Sequence, residues 1–129
     1  MQAIALITIV VLDYDDAIDF YVRKLGFTLI EDTVMSPTKR WVQVSPHGPA
    51  RGTSLLLAQA TEQTQKAAVG NQTGGRVGFF LHTDDLAADY ERLLNHQVTI
   101  IRPPEKHDYG HVLVFADLYG NKWDLIQPN

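Results

Sequence analysis

Residues 13–27 read DYDDAIDFYVRKLGF and have the pattern of a capped amphipathic helix. Asp13 can accept hydrogen bonds from the free N–H groups of a first helical turn, and the acidic residues after it suit the positive end of the helix dipole. Apolar side chains recur at helical spacing and form one stripe: Tyr14, Ile18, Tyr21, Val22 and Leu25. Gly26 follows, where a residue in the left-handed conformation commonly ends a helix. The pattern predicts a short helix with one face packed on a sheet.

Strand-like segments flank this helix on both sides. The run from Ala3 to Leu12 is rich in β-branched residues and predicts a buried strand before the helix. Three more strands are predicted after it, at 27–34, 40–45 and 53–60, with turn residues between them. Residues 1–60 therefore predict a β-α-β-β-β module.

The same order of elements returns after a polar segment. Residues 61–75 are dominated by Gln, Thr, Asn and Gly and predict a linker, with a short helical piece around 63–69. Asp85 is then expected to cap a second helix, whose apolar stripe is Leu86, Tyr90, Leu93 and Leu94. The strands predicted around this helix lie at 76–82, 98–102, 111–116 and 121–127.

Two features of this second half shape the expected fold. The strand at 98–102 is predicted to end at Pro103-Pro104, and a turn is predicted over 117–121. Residues 76–129 thus form a second β-α-β-β-β module, and one such module alone leaves a sheet face uncovered. We therefore expect a single α+β domain over residues 1–129, in which two modules form a mixed sheet that lines a cleft.

Composition limits the partners that the chain can have. The 129 residues are 45% hydrophobic and 20% charged, and the formal net charge is −4. This balance argues against disorder and against binding to nucleic acid or to an anionic membrane. The sequence has no cysteine, which excludes disulfides and thiolate ligands. The apolar start is too short to span a membrane and lacks a basic flank, so we expect a cytoplasmic protein.

Three motifs resemble the signatures of a known family. They read Asp13-x-x-x-Ala17-Ile18-x-Phe20-Tyr21-x-x-x-Leu25-Gly26-Phe27, Asp85-Leu86-x-x-x-Tyr90-x-x-Leu93, and Phe115-x-Asp117-x-x-Gly120-Asn121-x-x-Asp124-Leu125. Their order, the repeat and the terminal Asp-x-x-Gly-Asn turn resemble the vicinal oxygen chelate superfamily, the group of glyoxalases, bleomycin-resistance proteins and extradiol dioxygenases. The resemblance covers essentially the whole chain. It implies the glyoxalase/bleomycin-resistance fold and a homodimer, because family members commonly pair.

The resemblance also implies where a metal ion would be bound. In metal-dependent members the first and last strands of each module supply one ligand each, and the corresponding positions here are Leu6, Leu56, Gly78 and Asp124. Only Asp124 carries a donor side chain, whereas catalytic sites normally need about three protein ligands. We therefore expect no metal and no other cofactor. Glyoxalase and dioxygenase chemistry through a chelated substrate is hard to support on this ligand set.

Strand alternation points to other candidate residues. His82 should share a face with Phe80 and Gly78, and Thr8 should share a face with Leu6. A pair formed by His82 and Asp124 could act as an acid–base couple, with the carboxylate orienting the imidazole. The candidate ligand-binding residues are Thr8, Trp41, Leu56, Phe80, His111 and Lys122.

These candidates also have ordinary structural explanations. His82 could simply hydrogen-bond within its strand, and Asp124 could form a salt bridge. Trp41 could stack on a flat or cationic ligand, or belong to the core or to a dimer contact. Trp123 alternates with Asp124 and is expected to pack against the helix instead.

Two functions remain open at this point. The first is a binding protein that holds a small organic molecule in the cleft, as drug-sequestering members of the family do without a metal; an acidic cleft would suit a cationic drug. The second is a glyoxalase- or dioxygenase-like lyase or isomerase acting on a small carbonyl or phenolic substrate. It would use a relocated metal or the acid–base chemistry of His82 and Asp124. The missing ligand set favours binding.

Overall fold

The computed structural model describes residues 1–48 and 52–129. The chain divides into two compact units, Met1–Val69 and Gly70–Asn129. Each unit contains one four-stranded mixed sheet and at least one helix, so the predicted repeat of β-α-β-β-β order is confirmed. None of the helices in the described residues is long and apolar enough to cross a membrane.

The first unit contains four strands, β1 to β4, and two helices, α1 and α2. In chain order they are β1 (Leu6–Val11), α1 (Tyr14–Ile18) with a π-helical continuation (Asp19–Lys24), β2 (Thr28–Ser36), β3 (Lys39–Ser45), β4 (Ser54–Gln59) and α2 (Gln63–Ala68). The sheet order is β1-β4-β3-β2, with β1 parallel to β4 and the other pairs antiparallel. The helical piece expected after the first module is confirmed as α2.

The first helix confirms its predicted caps but not its whole predicted stripe. Asp13 accepts a hydrogen bond from the N–H of Asp16 at 2.8 Å, and Gly26 adopts a positive φ of 82°. Between these caps the helix widens, because the N–H of Leu25 donates to the carbonyl of Phe20, five residues back. The buried side chains also differ from the predicted stripe. Phe20 is buried, whereas Val22 of the predicted stripe is only half-buried.

The first sheet has one covered face and one open face. Ile9, Val42 and Leu57 point to the covered face and are completely buried. The alternate positions form a row across the four strands, pairing Thr8 with Leu56, Leu56 with Gln43, and Gln43 with Glu31. We call this side, with Thr8, Leu56, Gln43, Glu31 and Trp41, the first open face.

The second unit contains four strands, β5 to β8, and one helix, α3. They are β5 (Val77–His82), α3 (Leu86–Asn95), β6 (Thr99–His107), β7 (Gly110–Ala116) and β8 (Lys122–Pro128). The sheet order is β5-β8-β7-β6, with β5 parallel to β8 and the other pairs antiparallel. Asp85 caps α3 as predicted, accepting the N–H of Ala88 at 3.1 Å. Leu86 and Leu93 are buried, but Leu94 is 50% exposed, so its predicted place in the buried stripe is wrong.

One strand of the second unit is longer than predicted. β6 continues through Pro103 and Pro104 to His107 instead of ending at Arg102. It lies at the edge of its sheet. Proline has no N–H group to donate to a neighbouring strand, and an edge strand tolerates this because no strand pairs with its outer side. The pairing with β7 is irregular between Arg102 and Glu105, which accommodates the two prolines.

Aromatic stacking forms the core of the second unit. Trp123 is 4% exposed and lies between Phe79 and Phe115, with ring centroids 4.6 and 5.8 Å away. This confirms that Trp123 points to the helix-covered side, opposite to Asp124. The predicted turn at 117–121 is also confirmed, since the carboxylate of Asp117 accepts the backbone N–H groups of Tyr119 and Asn121 at 2.9 Å each.

Candidate functional site

A row of side chains crosses the side of the second sheet that faces away from Trp123. Phe80 on β5 lies opposite Asp124 on β8, Asp124 lies opposite Val114 on β7, and Val114 lies opposite Arg102 on β6. Residues directly opposite each other in a sheet project to the same face, so these four side chains share one surface. We call this surface, with the neighbouring His82 and Lys122, the second open face.

Phe80 is the most conspicuous member of this surface. Its side chain is 65% exposed, although its neighbours along the strand, Phe79 and Leu81, are partly covered. Phe80 lies on the edge strand β5, and a large aromatic ring on a sheet face normally packs against another layer. Phe80 therefore gives the second open face an apolar surface available to a ligand.

Asp124 lies beside Phe80 in an unusual electrostatic environment. Its carboxylate is half-buried and forms no hydrogen bond or ion pair with any residue of the described ranges. Burial raises the pKa of Asp124, and the positive charge of Arg102 lowers it by a smaller amount. The carboxylate therefore lacks a donor that would compensate for its partial desolvation.

His82 and Lys122 lie on the same surface as Asp124 but are not bonded to it. His82 is exposed and lies opposite Ile126, one alternate position away from the Phe80–Asp124 pair. No hydrogen bond joins His82 to Asp124 in the part of the chain that the structure describes. Lys122 donates instead from Nζ to the carbonyl oxygen of Gly75 at 3.1 Å. The acid–base couple of His82 and Asp124 stays a prediction.

The remaining candidate histidine has a different orientation. His111 is exposed and lies two and four residues before the buried Leu113 and Phe115 on β7, so the three share one face. It lies opposite Gln127 on β8 and Lys106 on β6. This alternation places it on the helix-covered side of the sheet, away from Asp124. Its predicted role in ligand binding therefore has no support from the other members of the second open face.

The first open face holds the other predicted ligand-binding residues. Thr8 is exposed, and Leu56 and Trp41 are half-buried. Thr8 and Leu56 are partners in the parallel β1–β4 pair, just as Phe80 and Asp124 are partners in the parallel β5–β8 pair. The two sheets therefore present corresponding positions, with an aliphatic side chain in the first where the second has a carboxylate.

The positions where the family resemblance places metal ligands do not fit a metal ion. Leu6 and Leu56 have no donor atoms, and Gly78 has no side chain. A Cβ at position 78 would stand 2.6 Å from Cγ2 of Thr73, so the space for a ligand side chain there is already occupied. Asp124 alone cannot hold a divalent ion usefully. Across the described residues no group of three or more His, Asp or Glu side chains is placed to hold one.

A separate cavity of about 240 Å³ lies in the first unit. Its lining residues include Tyr14, Val34, Ser36, Pro37, Thr38, Lys39, Arg40 and Gln59. Arg40 is bonded to Asp32 at 2.7 Å and to Asp15 at 2.9 Å, and its guanidinium lies over the ring of Tyr14. These charges satisfy one another, which makes the cluster a structural link between α1 and the β2–β3 pair.

The sequence analysis missed Arg102 as a member of the second open face. The strand was expected to end at this residue, so its side chain was assigned to no face. Regular strand alternation does not find it, because the register shift between Ile100 and Arg102 turns Arg102 to the face opposite to that of Ile100.

The fold and the comparison with known proteins identify the class of this chain. Two β-α-β-β-β units with mixed sheets form the glyoxalase/bleomycin-resistance α+β fold. A model of the Glyoxalase/Bleomycin resistance protein/Dioxygenase superfamily matches residues 3–125. The chain belongs to this superfamily.

Individual relatives match along almost their whole length. A protein of Shewanella frigidimarina (strain NCIMB 400) is 56% identical over 129 residues, covering 99% of this chain and 95% of that protein. The crystal structure of UcmS2 has a TM-score of 0.83 and 33% identity, covering 98% of both chains. The structure of TnmS3, an antibiotic binding protein from Streptomyces sp. CB03234, has a TM-score of 0.79 and 32% identity, covering 100% of this chain and 98% of that one.

Proposed function

We propose that this chain binds a small organic molecule of the antibiotic type on the second open face, without a metal ion. The observation that carries the proposal is the pair formed by the 65% exposed Phe80 and the half-buried Asp124, which lacks a hydrogen-bond donor. The likeness to TnmS3, an antibiotic binding protein, supports the same conclusion.

The chemistry of this pair suits a binding site. Small-molecule sites are mainly apolar, with a few polar groups that fix the orientation of the ligand. Phe80 offers an aromatic face for stacking, and Asp124 offers an acceptor that gains from any donor a ligand brings, because its partial desolvation is uncompensated. A ligand would therefore recover free energy at both side chains.

The other predicted ligand-binding residues lie on two separate surfaces, one in each unit. Trp41, Leu56 and Thr8 provide a ring, an aliphatic surface and a hydroxyl on the first open face. His82 and Lys122 add a ring nitrogen and a positive charge near Asp124. We also propose a homodimer, which size-exclusion chromatography with light scattering tests directly.

A thermal-shift assay against named antibiotics tests the proposal. The protein is heated with bleomycin and with a set of aromatic antibiotics, in EDTA and then with added zinc, nickel or manganese. A ligand at about 100 times its Kd should raise Tm by on the order of 10 °C, because it binds only the folded state. Phe80→Ala and Asp124→Asn should reduce this shift in EDTA. The matched control is Leu94→Ala, which removes a 50% exposed apolar side chain from α3.

Several results would count against this function. A shift that requires added metal would contradict metal-free binding. A shift that Phe80→Ala and Leu94→Ala change equally would remove the second open face from the site. The absence of any shift across the set would reject binding of this class of molecule.

An enzyme is the second candidate function, and the electrostatics of Asp124 favour it. Burial raises the pKa of this carboxyl, which makes it a better proton acceptor in its ionised form. With His82 nearby, the same surface could move a proton on a small carbonyl or phenolic substrate. Chromatography with mass spectrometry of ligands recovered after incubation separates the two functions. Unchanged ligand at stoichiometric amounts supports binding, and catalytic conversion lost in Asp124→Asn supports the enzyme.

A further inference from the structure

Arg102 occupies the far end of the row that starts at Phe80. It lies opposite Val114, which in turn lies opposite Asp124. Its side chain is exposed and forms no hydrogen bond or ion pair with any residue that the structure describes. It is nevertheless near enough for its charge to act on Asp124. The second open face thus carries a cation and an anion that influence each other without direct contact.

The spacing of the strands explains why the two groups do not pair. Neighbouring strands lie about 4.8 Å apart, so the backbones of β6 and β8 are about 10 Å apart on either side of β7. Val114 separates the two side chains and offers no polar group between them; it is 8% exposed and so forms the floor of the row. A gap of this width is bridged by a molecule about the size of one aromatic ring with a polar group at each end.

The backbone holds Arg102 in this place. The two prolines that follow it have a fixed φ, and the pairing of β6 with β7 is irregular on both sides of Arg102. These irregularities set which face Arg102 points to, since a one-residue shift of register would turn it to the other side.

We propose that Asp124 and Arg102 are the two poles of the binding site, that is, the charged side chains at its two ends. The ligand carries a hydrogen-bond donor for Asp124 at one end and an anionic group for Arg102 at the other. Its flat body lies over Val114 and against Phe80. This inference rests on the proposed function. A guanidinium binds a carboxylate or a similar anion through two parallel hydrogen bonds, which gives Arg102 a defined geometry for that group. A purely cationic ligand would meet Arg102 unfavourably on the same row.

Three simple probes separate the two poles. They are 4-(aminomethyl)benzoate, which has both end groups, benzylamine, which has only the cation, and benzoate, which has only the anion. Their dissociation constants are measured from shifts of backbone amide signals of β6, β7 and β8 in two-dimensional NMR spectra. The same spectra show whether each variant is folded.

The expected results follow from the positions of the two charges. The bifunctional probe should bind about tenfold more tightly than either single-ended probe, because one charge-assisted hydrogen-bond pair is worth roughly a factor of ten. Arg102→Gln should weaken 4-(aminomethyl)benzoate and benzoate about tenfold and leave benzylamine unchanged or slightly tighter. Asp124→Asn should weaken 4-(aminomethyl)benzoate and benzylamine about tenfold and leave benzoate unchanged or slightly tighter. The control is Lys106→Gln, which removes a positive charge from the same strand at the position opposite His111 and should change nothing.

The outcomes distinguish this inference from the proposed function. If the probes shift the Phe80–Asp124 row but Arg102→Gln affects all three equally or none, Arg102 is not a pole of the site, and binding at the second open face still stands. If Lys106→Gln weakens benzoate as much as Arg102→Gln does, the effect is general electrostatics and the inference fails. If no probe shifts any amide of this surface, both the inference and the proposed site are rejected.

Discussion

The substitution Gly78→Ala tests whether Thr73 occupies the space where the family places a metal ligand. A Cβ at position 78 would stand 2.6 Å from Cγ2 of Thr73, which is closer than two carbon atoms can approach without movement. Gly78 is not in the left-handed region of φ, so the backbone itself accepts alanine. The contact with Thr73 is therefore the main obstacle to any side chain at this position.

The change in the free energy of unfolding caused by Gly78→Ala can be worked out from the partners of Thr73. Its hydroxyl donates to the carbonyl of Arg76 at 2.6 Å, so moving the side chain away sacrifices a hydrogen bond worth about 1 kcal/mol. Leaving it in place costs about 1–3 kcal/mol of overpacking. Replacing glycine by alanine also reduces the conformational entropy of the unfolded chain, which stabilises the folded protein by about 0.4–1 kcal/mol. Because these contributions oppose each other, the coupling between positions 73 and 78 is a better measure than the single substitution.

A double-mutant cycle isolates this coupling. Thr73→Ser keeps the hydroxyl and removes Cγ2, so Gly78→Ala should be about 1 kcal/mol less destabilising in the Thr73→Ser background. Urea unfolding followed by tryptophan fluorescence gives the free energies, because Trp123 is buried and stacked in the same unit. Gly48→Ala is the control, since a Cβ there meets no atom of the described residues within 4 Å. A coupling near zero between positions 73 and 78 would refute the claim that Thr73 fills this space.

Three further predictions concern caps and charges. Asp85→Ala should destabilise the protein by about 1 kcal/mol in urea unfolding, because the N–H of Ala88 loses its cap. Arg40 holds the pKa of Asp32 below its usual value, so this pair stabilises the fold above the unfolded pKa of about 3.9 and ceases to do so as the pH falls through the folded pKa. Acid unfolding should therefore be less steep in Asp32→Asn, and equal steepness would contradict this account. The charge of Asp124 affects stability in the opposite direction to that of Asp32. Its pKa is raised in the folded state, so its charged form costs stability at neutral pH. Asp124→Asn should accordingly raise the free energy of unfolding at pH 7, by less than about 1 kcal/mol, while weakening ligand binding.

The parts of the fold that follow local rules could be predicted from the sequence. The caps at Asp13 and Asp85 and the turn at Asp117 depend on hydrogen bonds within a few residues, and all three are confirmed. The direction of Trp123 follows from strand alternation and is confirmed as well. These features need no information about distant parts of the chain.

The features that were missed depend on neighbours in space. The widened turn after Phe20 departs from regular helical spacing, and Phe20 is buried although that spacing leaves it out of the stripe. The continuation of β6 through Pro103 depends on its place at the sheet edge, which the order of elements along the chain does not state. Arg102, the positive end of the row, was missed because the register shift between Ile100 and Arg102 turns its side chain to the Asp124 side, which regular alternation does not predict.

The two sheets provide an internal comparison for the role of Asp124. Leu56 occupies the corresponding position in the first sheet, paired in parallel with Thr8 as Asp124 is with Phe80. The fold therefore accepts an aliphatic side chain at this position, and a carboxylate there is not required for the sheet to form. The carboxylate of Asp124 is partly desolvated and has no donor in the part of the chain described, so we expect its charged form to lower stability. A side chain that costs stability and is dispensable for the fold is best explained by a partner outside the chain, and the nearest exposed aromatic ring, Phe80, marks where that partner would lie.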